Sequence, residues 1–107
     1  MLANDKLYIV VRKDLDSGSQ LAQSCHVAFE FSRQHPDISI RWQEHSNYIC
    51  ILSAKDEEEI IQLLDKAKEN SINHSVFREE DLNNSITAIA LEPGIHSKKL
   101  CKKLKLA

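Results

Sequence analysis

The chain has 107 residues, with 14 Lys and Arg against 16 Asp and Glu and a formal net charge of −2. That length supports one hydrophobic core and no separate cofactor domain, and the slight acidic excess excludes a generally basic nucleic-acid-binding surface while leaving room for a local basic patch. No apolar run reaches signal-peptide or membrane-spanning length, so a cytoplasmic protein with no membrane association is expected.

The first predicted element is a strand near 7–12, Leu7-Tyr8-Ile9-Val10-Val11, whose apolar character marks it as buried. It runs into the charged corner from Arg12 to Gly18, and a helix follows over about 18–34. Strand ends followed by helix N-termini collect ligands in open α/β sheets, because free N–H groups and the helix dipole face the crevice. This junction is therefore the first candidate site. Ser19, Gln23 and His26 stand at i, i+4 and i+7, a polar stripe carrying a hydroxyl, an amide and an imidazole to one side. Leu21, Cys25, Ala28 and Phe29 form the opposite stripe and read as core. An amphipathic helix has a polar face in any case, so spacing alone leaves a bland and a functional reading of the stripe open.

His35-Pro36 stops this helix, since the residue before proline is biased out of the helical region. Residues 37–46 are mixed: Ile38 and Ile40 alternate as in a short strand or loop edge, and Trp42 is expected against the sheet or an interface. The continuous apolar run Tyr48-Ile49-Cys50-Ile51-Leu52 predicts a central strand buried on both faces. Asp56 with Glu59 three residues on forms a capping box, and the run Asp56–Glu59 complements the helix dipole, which accounts for it without a metal site. The helix it opens turns Ile60, Ile61, Leu63, Leu64 and Ala67 to the sheet and ends near Asn70. A strand at 74–77, a polar segment at 78–84 and a strand at 85–91 follow. Pro93-Gly94 then precedes a basic terminal helix carrying Lys98, Lys99, Lys102, Lys103 and Lys105, with Leu100 and Leu104 as its apolar pair. Such a block could meet phosphates, and its cations equally suit a helix C-terminus. The order β-α-β-α-β-β-α predicts an α/β three-layer single domain over 1–107, with a mixed sheet of about four strands and helices on both faces.

The cysteines Cys25, Cys50 and Cys101 are odd in number and lack any C-x-x-C, which fits neither a disulfide framework nor a zinc site. Cys25 and His26 do not make a nucleophile and base, because adjacent helical residues point about 100° apart. With two glycines in all there is no Gly-rich phosphate loop, and no cofactor or metal is expected.

Ile9-Val10-Val11-Arg12-Lys13-Asp14-Leu15, then Gly18, then Ala22-Gln23-Ser24-Cys25-His26-Val27-Ala28 resembles the N-terminal signature of the archaeal and eukaryotic-type, or type 2, peptidyl-tRNA hydrolases. That signature is a strand, R-x-D-hydrophobic, a G-K-G-K turn and A-A-Q-x-x-H-A on the first helix. The stretch from Phe77-Arg78-Glu79 to Thr87-Ala88-Ile89-Ala90 resembles the F-R-E-P-D-L-x-N-x-x-T-A-I-A segment of a bacterial subgroup, and the likeness runs the length of the chain. The resemblance implies hydrolysis of the ester joining a peptide, or an N-blocked aminoacyl group, to the 3′ ribose of tRNA. His26 would be the base for water, Glu79 or Asp81 would orient it, and the Thr87 hydroxyl and Gln23 amide would donate to the carbonyl oxygen. It further implies contacts to tRNA from Arg12, Lys13, Asp14, Ser19, Arg78 and Asn84. A homodimer is also implied, for which Phe31, Trp42 and Tyr48 are of interface-enriched type. One departure bears on activity: the family's site lysine, seven residues before the histidine, falls on Ser19. The alternative is a non-catalytic module of the same fold that binds RNA or a protein partner. Taken singly, His26 suits a helix–sheet interface, Thr87 is a good strand former and Asp14 a turn cap. Only convergence in one cleft raises them together.

Overall fold

The computed structural model describes residues 1–107. In chain order the elements are β1 (Lys6–Arg12), α1 (Ser17–Gln34), α2 (Pro36–His45), β2 (Tyr48–Ala54), α3 (Glu57–Glu69), β3 (His74–Glu79), a 3-10 turn (Glu80–Leu82), β4 (Ser85–Leu91), α4 (Ile95–Leu100) and β5 (Lys105–Leu106). The sheet runs β3-β4-β1-β2-β5; β1 and β2 are parallel and the other neighbours antiparallel. Alternation along β1 divides the core. Leu7, Ile9 and Val11 pack with Val27, Phe31 and Trp42 of α1 and α2, whereas Tyr8 and Val10 pack with Ile60, Leu63 and Leu64 of α3. The result is an α/β mixed sheet with helices on both faces, of five strands rather than about four.

The fifth strand explains two departures, one at the C-terminus and one in β2. The lysine-rich end does not form one helix: α4 opens after Gly94, at φ 129°, and stops at Leu100, and a turn leads into β5. The outer edge of β2 offers unpaired backbone groups, and Lys105 and Leu106 take them opposite Ser53 and Leu52. This edge strand is short. Tyr48 and Ile49 have no neighbour beyond them, and they are exposed rather than buried as the apolar run predicts.

Residues 36–45 are helical, not extended. Pro36 lacks an N–H and has a fixed φ, so it ends α1 and serves as an opening residue of α2. Ile38 and Trp42, at i and i+4, then face α1, and Ile40 points to solvent. The Trp42 indole N–H donates to the Tyr48 carbonyl (2.9 Å), pinning α2 to the start of β2.

The face of α1 is the largest surprise. Leu21 and Phe29 are 68% and 77% exposed and Cys25 is exposed, while Gln23, Ser24, Val27 and Phe31 are buried. Val27 and Phe31 anchor the helix, and the polar pair beside them is fully bonded: the Ser24 hydroxyl donates to the Gln20 carbonyl (2.7 Å), and Gln23 is held from the sheet. Of the predicted core stripe, Ala28 alone packs against the core, and Leu21, Cys25 and Phe29 face outward.

Candidate functional site

The site starts from an irregularity in β4. Phe77 of β3 faces Ala88 and Arg78 faces Ile86, so Thr87 is the extra residue of a bulge. Strict alternation would put Thr87 on the α3 side with Ile89 and Leu91. The bulge turns it instead toward α1, with Ile86 left on the α3 side and Ala88 on the α1 side. The Ile86 N–H beside the bulge donates to Glu57 Oε2 (2.7 Å), so a carboxylate of the acidic α3 turn also supports the strand.

From Thr87 a hydrogen-bonded chain runs outward. Its fully buried hydroxyl donates to Gln23 Oε1 (2.6 Å), and Gln23 Nε2 donates to Glu79 Oε1 (2.9 Å) at the end of β3. Three elements, α1, β3 and β4, are clasped by two bonds. One turn along α1 from Gln23, His26 lies flat on Phe77, with ring centroids 4.5 Å apart and planes 4° from parallel. His26 is exposed, and the histidine hydrogen bonds within the chain are those of His35 and His74. Its nitrogens are free for water or a ligand. His26 and Thr87 therefore share the α1 face of the sheet, the histidine at solvent and the threonine sealed beneath Gln23.

The other predicted residues divide. Glu79 joins the chain; Asp81 sits exposed in the 3-10 turn. Arg12 grips Asp14 through two bonds of 2.9 Å and donates to Ser85 Oγ (3.1 Å), fastening the end of β1 to the start of β4. That pairing holds the Asp14 carboxyl below the usual carboxylate range and raises the guanidinium. Ser19 closes the cap of α1: its N–H and hydroxyl both donate to Asp16, at 2.8 and 3.2 Å, and Asp16 is lowered in consequence. Arg78 donates to the Asn84 carbonyl (3.2 Å), and Asn83 and Asn84 take left-handed φ of 55° and 61°, which asparagine tolerates. These last residues shape the turn before the bulge. Lys13 is exposed.

Phe77, Ser85 and Glu57 belong to this constellation and are not singled out by sequence reasoning; spacing carries no sign of a contact between α3 and β4. Surface concavities are present away from it, one among Asn70, His96 and Lys99, one among His35, Lys68 and His74, and one among lysines at the end of β1. No three His, Cys, Asp or Glu side chains converge as metal ligands do. Burial pushes the Cys101 thiol up to about 12, which leaves it an inert core residue.

Residues 5–107 match the family model described as peptidyl-tRNA hydrolase PTH2. A mouse protein described as "Putative peptidyl-tRNA hydrolase PTRHD1" is 31% identical over 97 residues, spanning 80% of this chain and 69% of that protein. The solved structure of a protein of unknown function, Atu0240 from Agrobacterium tumefaciens C58, matches with a TM-score of 0.72 at 17% identity, covering 100% of this chain and 99% of that one. It shares the fold.

Proposed function

The chain belongs to the peptidyl-tRNA hydrolase PTH2 family, and on that premise we propose that it hydrolyses the ester between a peptide, or an N-blocked aminoacyl group, and the 3′ ribose of tRNA. The observation that carries the reading is the Glu79–Gln23–Thr87 chain with the unpaired His26 beside it. Water attacks the carbonyl carbon as His26 takes its proton. The bond from that carbon to the ribose oxygen then breaks, and His26 returns the proton to the departing oxygen, leaving a free peptide and a 3′-hydroxyl. Phe77 holds the imidazole plane and leaves its edge open.

Gln23 and Thr87 act differently in this reading from direct donors to the ester. The Thr87 hydroxyl spends its one hydrogen on Gln23, and the buried Gln23 amide spends one of its two on Glu79, so their part is to fix α1, and with it His26, against the bulge. Glu79 is the acid of the site because it ends that chain, and Asp81 is left to solvent. A cytoplasmic location and a homodimer complete the proposal. Phe31 and Trp42 are buried within the protomer, so an interface would draw on exposed Tyr48, Ile49 or Phe29. Sedimentation at micromolar concentration showing only a 12.2 kDa species would contradict the dimer.

A second reading has one specific observation behind it: Ser19, where the family's lysine would stand, turns its hydroxyl to Asp16 and brings no cation. On that reading the protein binds tRNA without cleaving it. Incubation with a labelled peptidyl-tRNA separates the two. Release of peptide above a buffer blank supports the hydrolase, and retention of intact substrate on the protein supports the binding module.

A further inference from the structure

We propose that a lysine groove at the C-terminal ends of β1 and β2 is a docking surface for the phosphate backbone of RNA, set apart from the Thr87 bulge; the identification of that RNA as tRNA rests on the function proposed above. The groove encloses about 250 Å³, and Lys13, Lys55, Lys103 and Lys105 line it. These positions are far apart in sequence and the fold collects them. The Lys13 N–H donates to the Ala54 carbonyl (2.7 Å), which ties the exit of β1 to that of β2 just before Lys55. The terminal turn and β5 then bring Lys103 to the same place and Lys105 opposite Ser53.

The charge pattern points to a polyanion. In a chain of net charge −2, four lysines line one groove and none forms an ion pair; the two salt bridges of the protein are Arg12–Asp14 and Arg33–Glu30. The one lining carboxylate, Glu59, accepts the Lys55 backbone N–H at 3.1 Å as part of the α3 cap. Lysine on an edge strand also discourages strand pairing, but Lys13 and Lys55 lie off that edge. Leu104 is the single apolar lining residue, so the groove suits phosphates better than bases or an apolar peptide. Ammonium groups act there as point charges that displace condensed counterions.

Its position agrees with a substrate reaching the proposed site. Arg12 pairs with Ala54 along the parallel ladder, and Val11 pairs with Ala88 across the antiparallel one, so the groove and the Thr87 bulge occupy one end of the sheet. An RNA crossing that end could bring its 3′ terminus to His26 while upstream phosphates rest among the lysines.

The test is the salt dependence of deacylated tRNA binding, measured from about 50 to 200 mM salt for wild type, for the triple variant Lys55→Gln, Lys103→Gln, Lys105→Gln, and for the same three positions changed to Arg. Three lost phosphate contacts should lower the magnitude of the log–log slope by about two to three units in the Gln variant, and the Arg variant should keep the wild-type slope. An unchanged slope in the Gln variant, a lowered slope in the Arg variant, or no tRNA binding by wild type overturns the groove. Peptide release is read separately. Wild type that releases peptide while the Gln slope is unchanged defeats the groove alone, and a lowered Gln slope without wild-type release upholds the groove and defeats the hydrolase.

Discussion

Thr87 is fully buried and its hydroxyl makes the shortest bond of the site, to Gln23 Oε1. Thr87→Val keeps the shape and removes the donor, leaving an amide oxygen unpaired inside the protein. The expected loss is about 1–3 kcal/mol in urea denaturation, together with reduced turnover; full stability would show that α1 is not held this way. The two candidate acids separate in the same manner. Glu79→Gln is expected to slow peptide release, and Asp81→Asn to leave the rate at the wild-type value, because only Glu79 reaches Gln23. The pairing of Arg12 with Asp14 has a pH signature. Its lowered folded-state pKa means that the unfolded chain takes the proton first, so the contribution is present above the ordinary value of 3.8 and is lost as pH falls through the lower folded value. Melting temperature followed from about pH 5 to pH 2 should fall less steeply in Asp14→Asn than in wild type, although the partial exposure of Asp14 keeps the difference small.

On α1 the exposed and buried apolar residues give opposite expectations. Phe31→Ala should cost about 3–5 kcal/mol, as removal of a buried aromatic does, whereas Phe29→Ser should stay within about 0.5 kcal/mol. The reverse ranking in denaturant melts would restore the apolar stripe as core. The inversion shows what periodicity carries and what it omits. Period 3.6 located the helix and His35-Pro36 ended it, because proline acts locally; the Asp16 cap emerged only in the structure. Which face turns inward depended on the partners of Gln23 and Ser24, and one of these is a threonine 64 residues away. Capping made α3 legible: the Asp56 side chain accepts from the Glu59 N–H (3.0 Å) as the motif predicts. The helix at 36–45 was obscured because Ile38 and Ile40 imitate a strand, and β5 because a two-residue strand has no periodicity to read.

For the whole molecule, alternating strands and helices indicated an α/β sheet covered on both faces, and the residues of the candidate site stood out through their motifs. Their convergence on the α1 side was expected from the motifs, but the bulge that turns Thr87 there was not, since it depends on a β3–β4 register that no single strand encodes. No helix is long and apolar enough to cross a membrane. In the proposed reaction this assembly cleaves an ester at His26. The direct measurement compares wild type and His26→Ala for single-turnover release of peptide from peptidyl-tRNA, with tRNA affinity determined for both. A base acts on the transition state more than on the bound ester, so wild type should release peptide, the variant should be about 10²–10⁴-fold slower, and the two affinities should be nearly equal. Wild type that releases no more peptide than the buffer blank, or a variant that matches wild type, would contradict that reaction.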